Sequence, residues 1–236
     1  MVFTPEELKQ LKGKGYIYNK AHDRFSCRYV VPQGRLTAAQ SKAVAEATEQ
    51  FGNGEYYFTQ RLNLEIPWVA YEDLEALSKA MADVDLHIGG AGMRAKPVHT
   101  CKGTICGLNN YDITTYVKEL NQRIYNGHPL PNKLRITLGG CGNNCSTPQL
   151  ACIGIQGRKP NQAALYLGGL GGKRLQFGRE VAGVHAMDQI VAMVERAVTS
   201  YAQHGQPMER FADYVARVGF KELEKELLAN RPSTSG

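Results

Sequence analysis

The sequence predicts an α+β fold in two parts, and three observations carry that prediction. Ahead of residue 96, β-rich and helical segments follow one another in the order strand, helix, strands, helix. Beyond it the chain becomes rich in glycine and places four of its six cysteines in two short stretches, "CKGTICGLNN" and "GGCGNNCSTP". Between Glu180 and Tyr201 an apolar stripe recurs at helical spacing. The expected division is residues 1–96 and residues 97–236.

In the first part, "RFSCRYVVPQGRL" reads as a strand that stops at Pro32 and Gly34. In "TAAQSKAVAEATEQFG", Ala39, Ala43, Val44 and Ala47 lie at helical spacing, with Thr37 as N-cap and Gly52 just past the end. "GEYYFTQRLNLEIPWV" is one long strand or two short ones, and "YEDLEALSKAMADV" is a helix with Leu74, Leu77 and Met81 on one face. This order places both helices on one side of a sheet.

In the second part, "YDITTYVKELNQRIY" is a helix, "NKLRITLGG" a strand ending at the second cysteine pair, and "AALYLGGLGG" a strand that runs into a glycine-rich turn. From Glu180 to Tyr201 a long helix is expected, its Val184, Met187, Val191, Val194 and Val198 forming core. "MERFADYVARVG" and "FKELEKELLA" are two shorter helices, and the polar tail "NRPSTSG" frays without an assignable function.

A chain of 236 residues can bury a substantial core without disulfides. Its opening segment, "MVFTPEELKQLKGKGYIYNK", has no apolar run of the kind a secretory signal needs, and no stretch is apolar enough to span a bilayer. The expectation is a cytoplasmic protein whose clustered cysteines bind metal or do redox work. A net charge of +6 favours an anionic partner. Lys and Arg are scattered, with neither a basic run nor interleaved aromatic residues, which argues against nucleic acid and leaves small anions or acidic proteins.

The cysteines read Cys101-x4-Cys106-x34-Cys141-x3-Cys145. Two close pairs can supply four thiolates to a zinc ion or to a 4Fe–4S cluster. Structural zinc favours pairs separated by two residues, and here the separations are four and three, so zinc is the minority reading. Gly and Asn around both pairs let the chain wrap closely around a bulky cluster, which makes iron–sulfur the leading reading and unligated thiols the remainder. A thiol nucleophile fits poorly, because it needs one activated cysteine beside a base. Cys27 and Cys152, in "FSCRYVV" and "LACIGI", read as buried inert thiols.

With "LPNKLRITLGGCGNNC" leading into the second pair, the sequence resembles the siroheme and 4Fe–4S sulfite and nitrite reductase family. "CRYVVPQGRLTAAQ" is similar to the family's Arg-bearing "PGG" strand, "FTQRLNLEIP" to its "TTRQ" strand and "GAGMRAKPVHTC" to the Arg-bearing segment before the first cysteine. "ALYLGGLGG" and "ERFADYVARVG" are similar to its C-terminal end. The nearest type is the small single-repeat, assimilatory-type or anaerobic sulfite reductases.

The resemblance implies a ferredoxin-like half domain followed by an α/β domain that binds siroheme and the cluster. It implies that Cys101, Cys106, Cys141 and Cys145 hold the cluster and that Cys145 also bridges to the siroheme iron. Asn144 would touch the cofactor or simply form a turn, and Arg61, on the "TQR" strand, would contact siroheme. Arg28, Arg94, Lys133 and, with a Lys-to-Arg change, Arg135 would bind the anionic substrate. His99 is a proton relay or, as the simpler reading, a loop histidine without a special role.

The reaction implied is six-electron reduction of sulfite to sulfide, with nitrite reduction to ammonia as the close alternative. A non-catalytic iron–sulfur electron-transfer or redox-sensing protein is the reading from another class. Basic residues would neutralise the oxyanion and relay protons. The chain has no flavin or nicotinamide fingerprint, so electrons are expected from an external donor such as an acidic ferredoxin. In two-repeat relatives the cysteines and most of the substrate-binding basic residues come from different repeats. A single-repeat chain would therefore pair with itself as a homodimer or build its pocket alone.

Overall fold

A computed structural model describes residues 2–125, 129–172 and 174–229, and the polar tail Asn230–Gly236 lies outside the described residues. The chain divides into two compact units, Met1–Gly92 and Met93–Gly236.

The first unit opens on helix α1 (Pro5–Lys14). The Thr4 hydroxyl accepts from the Glu7 N–H, and the Glu7 carboxylate accepts from the Thr4 N–H at 2.7 Å. This reciprocal capping box satisfies two otherwise orphaned donors. Its signal, Thr4 followed by Pro5 and Glu7, stands in the sequence, yet neither this helix nor strand β1 (Tyr16–Asn19) is among the elements expected above. Strands β2 (Arg24–Tyr29), β3 (Tyr57–Phe58) and β4 (Leu64–Val69) complete an antiparallel sheet in the order β1-β2-β4-β3. Alternate residues of β2, Phe25, Cys27 and Tyr29, turn inward with Leu64 and Ile66 of β4. Against them pack Val44 and Ala47 of α2 (Ala38–Phe51) and Leu74, Leu77 and Met81 of α3 (Leu74–Ala82). Thr37 caps α2 in a second box with Gln40, and Gly52 ends it, as expected.

"GEYYFTQRLNLEIPWV" is two strands. Between β3 and β4 the chain turns, with Thr59 N–H donating to the Asn63 carbonyl and Leu62 N–H to the Thr59 carbonyl, each at 2.8 Å. Leu62 takes a left-handed φ of 62°, which breaks the extended run. Arg61 therefore sits in a turn and not on a strand, correcting the expectation.

The second unit is built on a mixed sheet of strands β5 (His99–Thr100), β6 (Ile136–Gly139), β7 (Ile153–Lys159), β8 (Gln162–Leu167), β9 (Arg179–Glu180) and β10 (His185–Ala186). Their order is β10-β8-β7-β6-β5, with β9 also paired to β8. β5, β6 and β7 run parallel, whereas β7 and β8 form an antiparallel hairpin. Ala95 bridges to Leu134, and Lys96 N–H donates to the Leu134 carbonyl at 2.8 Å, so both belong to this unit. Helix α4 (Ile113–Leu120) winds on into a π-helical turn, Asn121–Tyr125. Helices α5 (Met187–His204), α6 (Phe211–Val218) and α7 (Phe220–Ala229) follow, and Val117, Leu138, Ile155, Leu165, Val194 and Phe211 share one core.

The long C-terminal helix begins seven residues later than the pattern suggests, at Met187 in place of Glu180. Arg179–Glu180 and His185–Ala186 both pair antiparallel with β8, and Gly183, at φ 92°, lies in the bend that separates them. Val184 is 41% exposed and lies outside the helical stripe it was expected to begin. Met187, Val191 and Val194 are buried as expected.

Several buried acids of this fold keep their protons. Burial pushes the Cys27 thiol up to about 12 from an ordinary 9.0. The hydroxyls of Tyr29, Tyr111 and Tyr201 are raised, chiefly by burial. The unfolded chain releases these protons at lower pH than the folded one, so raising the pH favours unfolding. Denaturant midpoints should hold steady up to pH 9 and fall steadily above it, and Cys27→Ala should remove part of that fall between pH 9 and about 12.

Candidate metal centre

The parallel pairing of β5 with β6 sets Thr100 opposite Leu138, so Cys101 and Gly140 leave neighbouring strands side by side. Cys101 N–H donates to the Leu138 carbonyl at 3.4 Å, and Gly140 N–H donates to the Cys101 Sγ at 3.4 Å. A short 3-10 turn, Gly103–Ile105, leads to Cys106, whose N–H donates to the Gly103 carbonyl at 2.7 Å. Asn110 N–H then donates to the Gly140 carbonyl at 2.9 Å, tying the loop of the first pair to the residue before Cys141. Buried Tyr111 lies against both loops. Its hydroxyl donates to the Gly139 carbonyl at 3.0 Å, and its proton is held by burial first and then by the proximity of Cys101 and Cys141.

From Gly140 the chain returns across the sheet to start β7. Two glycines of β7 make room for it. A Cβ on Gly157 would come 2.3 Å from the Gly140 carbonyl oxygen, and one on Gly154 would come 2.1 Å from that of Pro148. Asn144 takes a left-handed φ of 60° and its carbonyl accepts from Thr147 N–H at 2.9 Å, so its backbone opens the turn that carries Cys145. Buried Gln156, a residue that the motif reading passed over, hydrogen bonds to this loop from below.

All six cysteines are free thiols. Cys27 and Cys152 are buried, while Cys101, Cys106 and Cys141 are half-buried and Cys145 is exposed. Among the described residues no three His, Cys, Asp or Glu side chains converge as the ligands of a single ion would. A 4Fe–4S cluster takes its four thiolates on separate irons and so accepts a wider spread. Four accessible soft donors, on two loops tied to each other and lined by Gly139, Gly140 and Gly142, fit such a group in chemistry and in backbone freedom. Beside them, the buried Asn109 Oδ1 has no partner among the described residues.

The basic residues divide between the two units. In the first, Arg28 grips its cross-strand partner Glu65, with Nε at 2.6 Å from Oε1, and also reaches the Gly90 carbonyl at 3.3 Å. In the second, Lys133 and Arg135 line a cleft of ≈ 420 Å³ together with Arg174, Arg210 and Asp213. Arg135 donates to the Gly171 carbonyl at 3.2 Å, Arg174 pairs with Asp213, and among the described residues the buried Nε atoms of Arg135 and Arg210 have no partner. Exposed Arg94 lies near this end of the sheet, since its carbonyl accepts from Leu134 N–H at 3.2 Å. Arg174 and Arg210 were not singled out in the sequence; they stand 36 positions apart, and only the fold brings them together. The four residues of β6, roughly 13 Å of extended chain, separate Arg135 from the turn into Cys141. Among the described residues, no cysteine lines the cleft. His99 is a strand residue paired with Thr137 and not a loop residue, because its backbone completes the edge of the parallel sheet.

The nitrite/sulfite reductase ferredoxin-like half-domain model matches residues 18–84, and the nitrite and sulphite reductase 4Fe-4S domain model matches residues 89–233, more than half of the chain. A sulfite reductase (NADPH) hemoprotein beta-component of Nitrobacter hamburgensis is 29% identical over 86% of this chain and 37% of its own length. An uncharacterized protein of Methanocaldococcus jannaschii is 22% identical over 87% of this chain and 91% of its own. The Mycobacterium tuberculosis NirA protein has the same fold, with a TM-score of 0.84 at 15% identity over 98% of this chain and 48% of that one. The chain thus spans little more than a third of the hemoprotein component and nearly the whole length of the archaeal protein.

Because Gly157 admits the Gly140 carbonyl, Gly157→Ala should destabilise the protein by about 1–3 kcal/mol through backbone overpacking. Gly142→Ala, whose added Cβ would meet nothing within 4 Å, should leave the denaturation midpoint unchanged.

Proposed function

The chain belongs to the nitrite and sulfite reductase family, and from that premise we propose that it reduces sulfite to sulfide with six electrons. Family membership implies siroheme and a 4Fe–4S cluster as its cofactors. The observation that carries the proposal is the set of four free thiols on two tied loops at the ends of β5 and β6. Cys101, Cys106, Cys141 and Cys145 would hold the cluster, with Cys145 also serving the siroheme iron. Together these groups would supply electrons to a small anion bound at iron.

The protein's own residues manage charge and protons. Sulfite is an anion approaching an electron-rich centre, and fixed guanidinium groups lower that repulsion without losing their own charge. Arg135 and Arg210, with buried Nε–H donors that lack an acceptor among the described residues, are suited to an oxyanion or to a cofactor carboxylate. Lys133, in the same cleft, is the member able to give up a proton. Arg94 would add charge near that end of the sheet. Arg28 is held by Glu65, which favours a positioning role over direct capture of substrate, and Arg61, in its turn, would contact the cofactor. Asn144 would act through its turn.

Lys133 and Arg135 stand at the start of β6 and the second cysteine pair beyond its end, which supports a homodimer in which a second copy completes the site. Electrons would come from an external acidic carrier such as a ferredoxin, attracted by the net charge of +6. No helix among the described residues is long and apolar enough to cross a membrane.

Reconstituted protein should show strong visible bands and convert sulfite to sulfide, with six electrons consumed per sulfide. Ammonia from nitrite at a higher kcat/KM would assign the nitrite activity instead, and absence of the visible bands would remove both enzyme readings. Lys133→Met should lower kcat/KM for sulfite by about 100-fold while leaving cluster content unchanged. Raising the ionic strength should slow electron transfer from an acidic carrier, and an unchanged rate would contradict electrostatic docking.

A further inference from the structure

We propose that Gln156 is the positioning residue of the second cysteine pair. Its side-chain amide would hold the backbone between Cys141 and Cys145 against β7 and set the polarity beneath that loop. The inference rests on the reading of the four thiols as cluster ligands.

Gln156 lies within β7, opposite Gly139 of β6 and Ala164 of β8, and is 3% exposed. Burying a carboxamide is costly unless its donors and acceptor are satisfied. Here all of them are used. Nε2 donates to the Gly142 carbonyl and to Asn144 Oδ1, each at 3.4 Å, and both acceptors lie between Cys141 and Cys145. Oε1 accepts from the Tyr166 hydroxyl at 3.2 Å and from Gln149 Nε2 at 3.4 Å. Reversing the amide would set its oxygen against the fixed Gly142 carbonyl, so the backbone itself determines the orientation.

The anchoring continues past Gln156. Arg158 bonds the Tyr166 hydroxyl and pairs with Glu180 at 3.1 Å, so the tyrosine is held from its far side. Gly154, two residues away on the same face of β7, removes the side chain that would keep Pro148 off the strand. The loop carrying Cys141 and Cys145 is thus pressed close at one point and hydrogen bonded from below at two others. An amide at this place presents donors toward the loop, whereas a carboxylate would present negative charge and repel the Gly142 carbonyl.

The test uses the full reconstituted chain, with Gln156→Glu as a near-isosteric variant and Gln156→Leu as one that cannot hydrogen bond. Iron and acid-labile sulfide per chain, the half-time of iron loss to a chelator, and the cluster midpoint potential from a reductive titration followed by electron paramagnetic resonance are measured. Gln156→Leu should lose iron several-fold faster than wild type with an unchanged far-ultraviolet circular dichroism spectrum. Gln156→Glu should shift the midpoint to more negative potential, an effect that a merely structural role would not produce. Should the leucine variant fail to fold, the midpoint of the glutamate variant decides. If wild type holds the cluster and both variants match it in half-time and midpoint, the inference is overturned alone. If reconstituted wild type holds neither iron nor sulfide, the cluster reading falls and the inference with it.

Discussion

The second unit depends on how closely two other stretches of backbone can approach strand β7. On one face the Gly140 carbonyl takes the space a Gly157 side chain would occupy, and on the other Pro148 does the same at Gly154. These contacts let the chain leave β6, carry Cys141 and Cys145 through a tight excursion and return in time to start a parallel neighbour. A parallel crossover needs a dozen or more residues, commonly with a helix among them. Here 13 residues suffice, because the connection lies directly on the strand it is about to form. The first cysteine pair is drawn in by the same geometry, since β5 adds to the other side of β6 and Asn110 bonds the carbonyl of Gly140.

Charge is distributed according to the same logic of what can be satisfied locally. Arg28 sits in a sheet opposite Glu65, and the pair meets most of its own electrostatic demand. Lys133, Arg135, Arg174 and Arg210 share one cleft, and among the described residues lining it Asp213 is the one carboxylate, which Arg174 engages. Among the described residues, the buried Nε donors of Arg135 and Arg210 there lack an acceptor. Such an arrangement stores the capacity to bind an anion. It also explains how a chain with scattered basic residues can present a concentrated positive site without a basic run in its sequence.

The elements with strong local signals were legible. Thr37 and Gly52 bounded α2, and Leu74, Leu77 and Met81 marked the buried side of α3, because capping and 3.6-residue periodicity act within a few residues. The capping box of α1 was equally local and went unread. The stretch from Glu180 to Val184 misled for the opposite reason. Its apolar spacing continues that of α5, but pairing with β8 and the left-handed Gly183 override it, and both are decided by residues far away or by a backbone angle. Arg61 likewise lay in a segment with strand composition, and only the hydrogen bonds around Leu62 make it a turn.

By itself the sequence determined the donor chemistry of the candidate centre. It set the four cysteine positions, the glycines and asparagines that allow sharp turns around them, and the order of motifs that marks the family. Tertiary structure alone decided which groups meet. It joined Arg174 and Arg210 to Lys133 and Arg135, set Tyr111 beside Cys101 and Cys141, and placed Gln156 beneath the second cysteine loop. The physical reason lies in range. Turn propensity and ligand identity are properties of a few consecutive residues, whereas close backbone approach, buried amide satisfaction and charge clustering depend on sheet register, which is fixed only when distant strands pair.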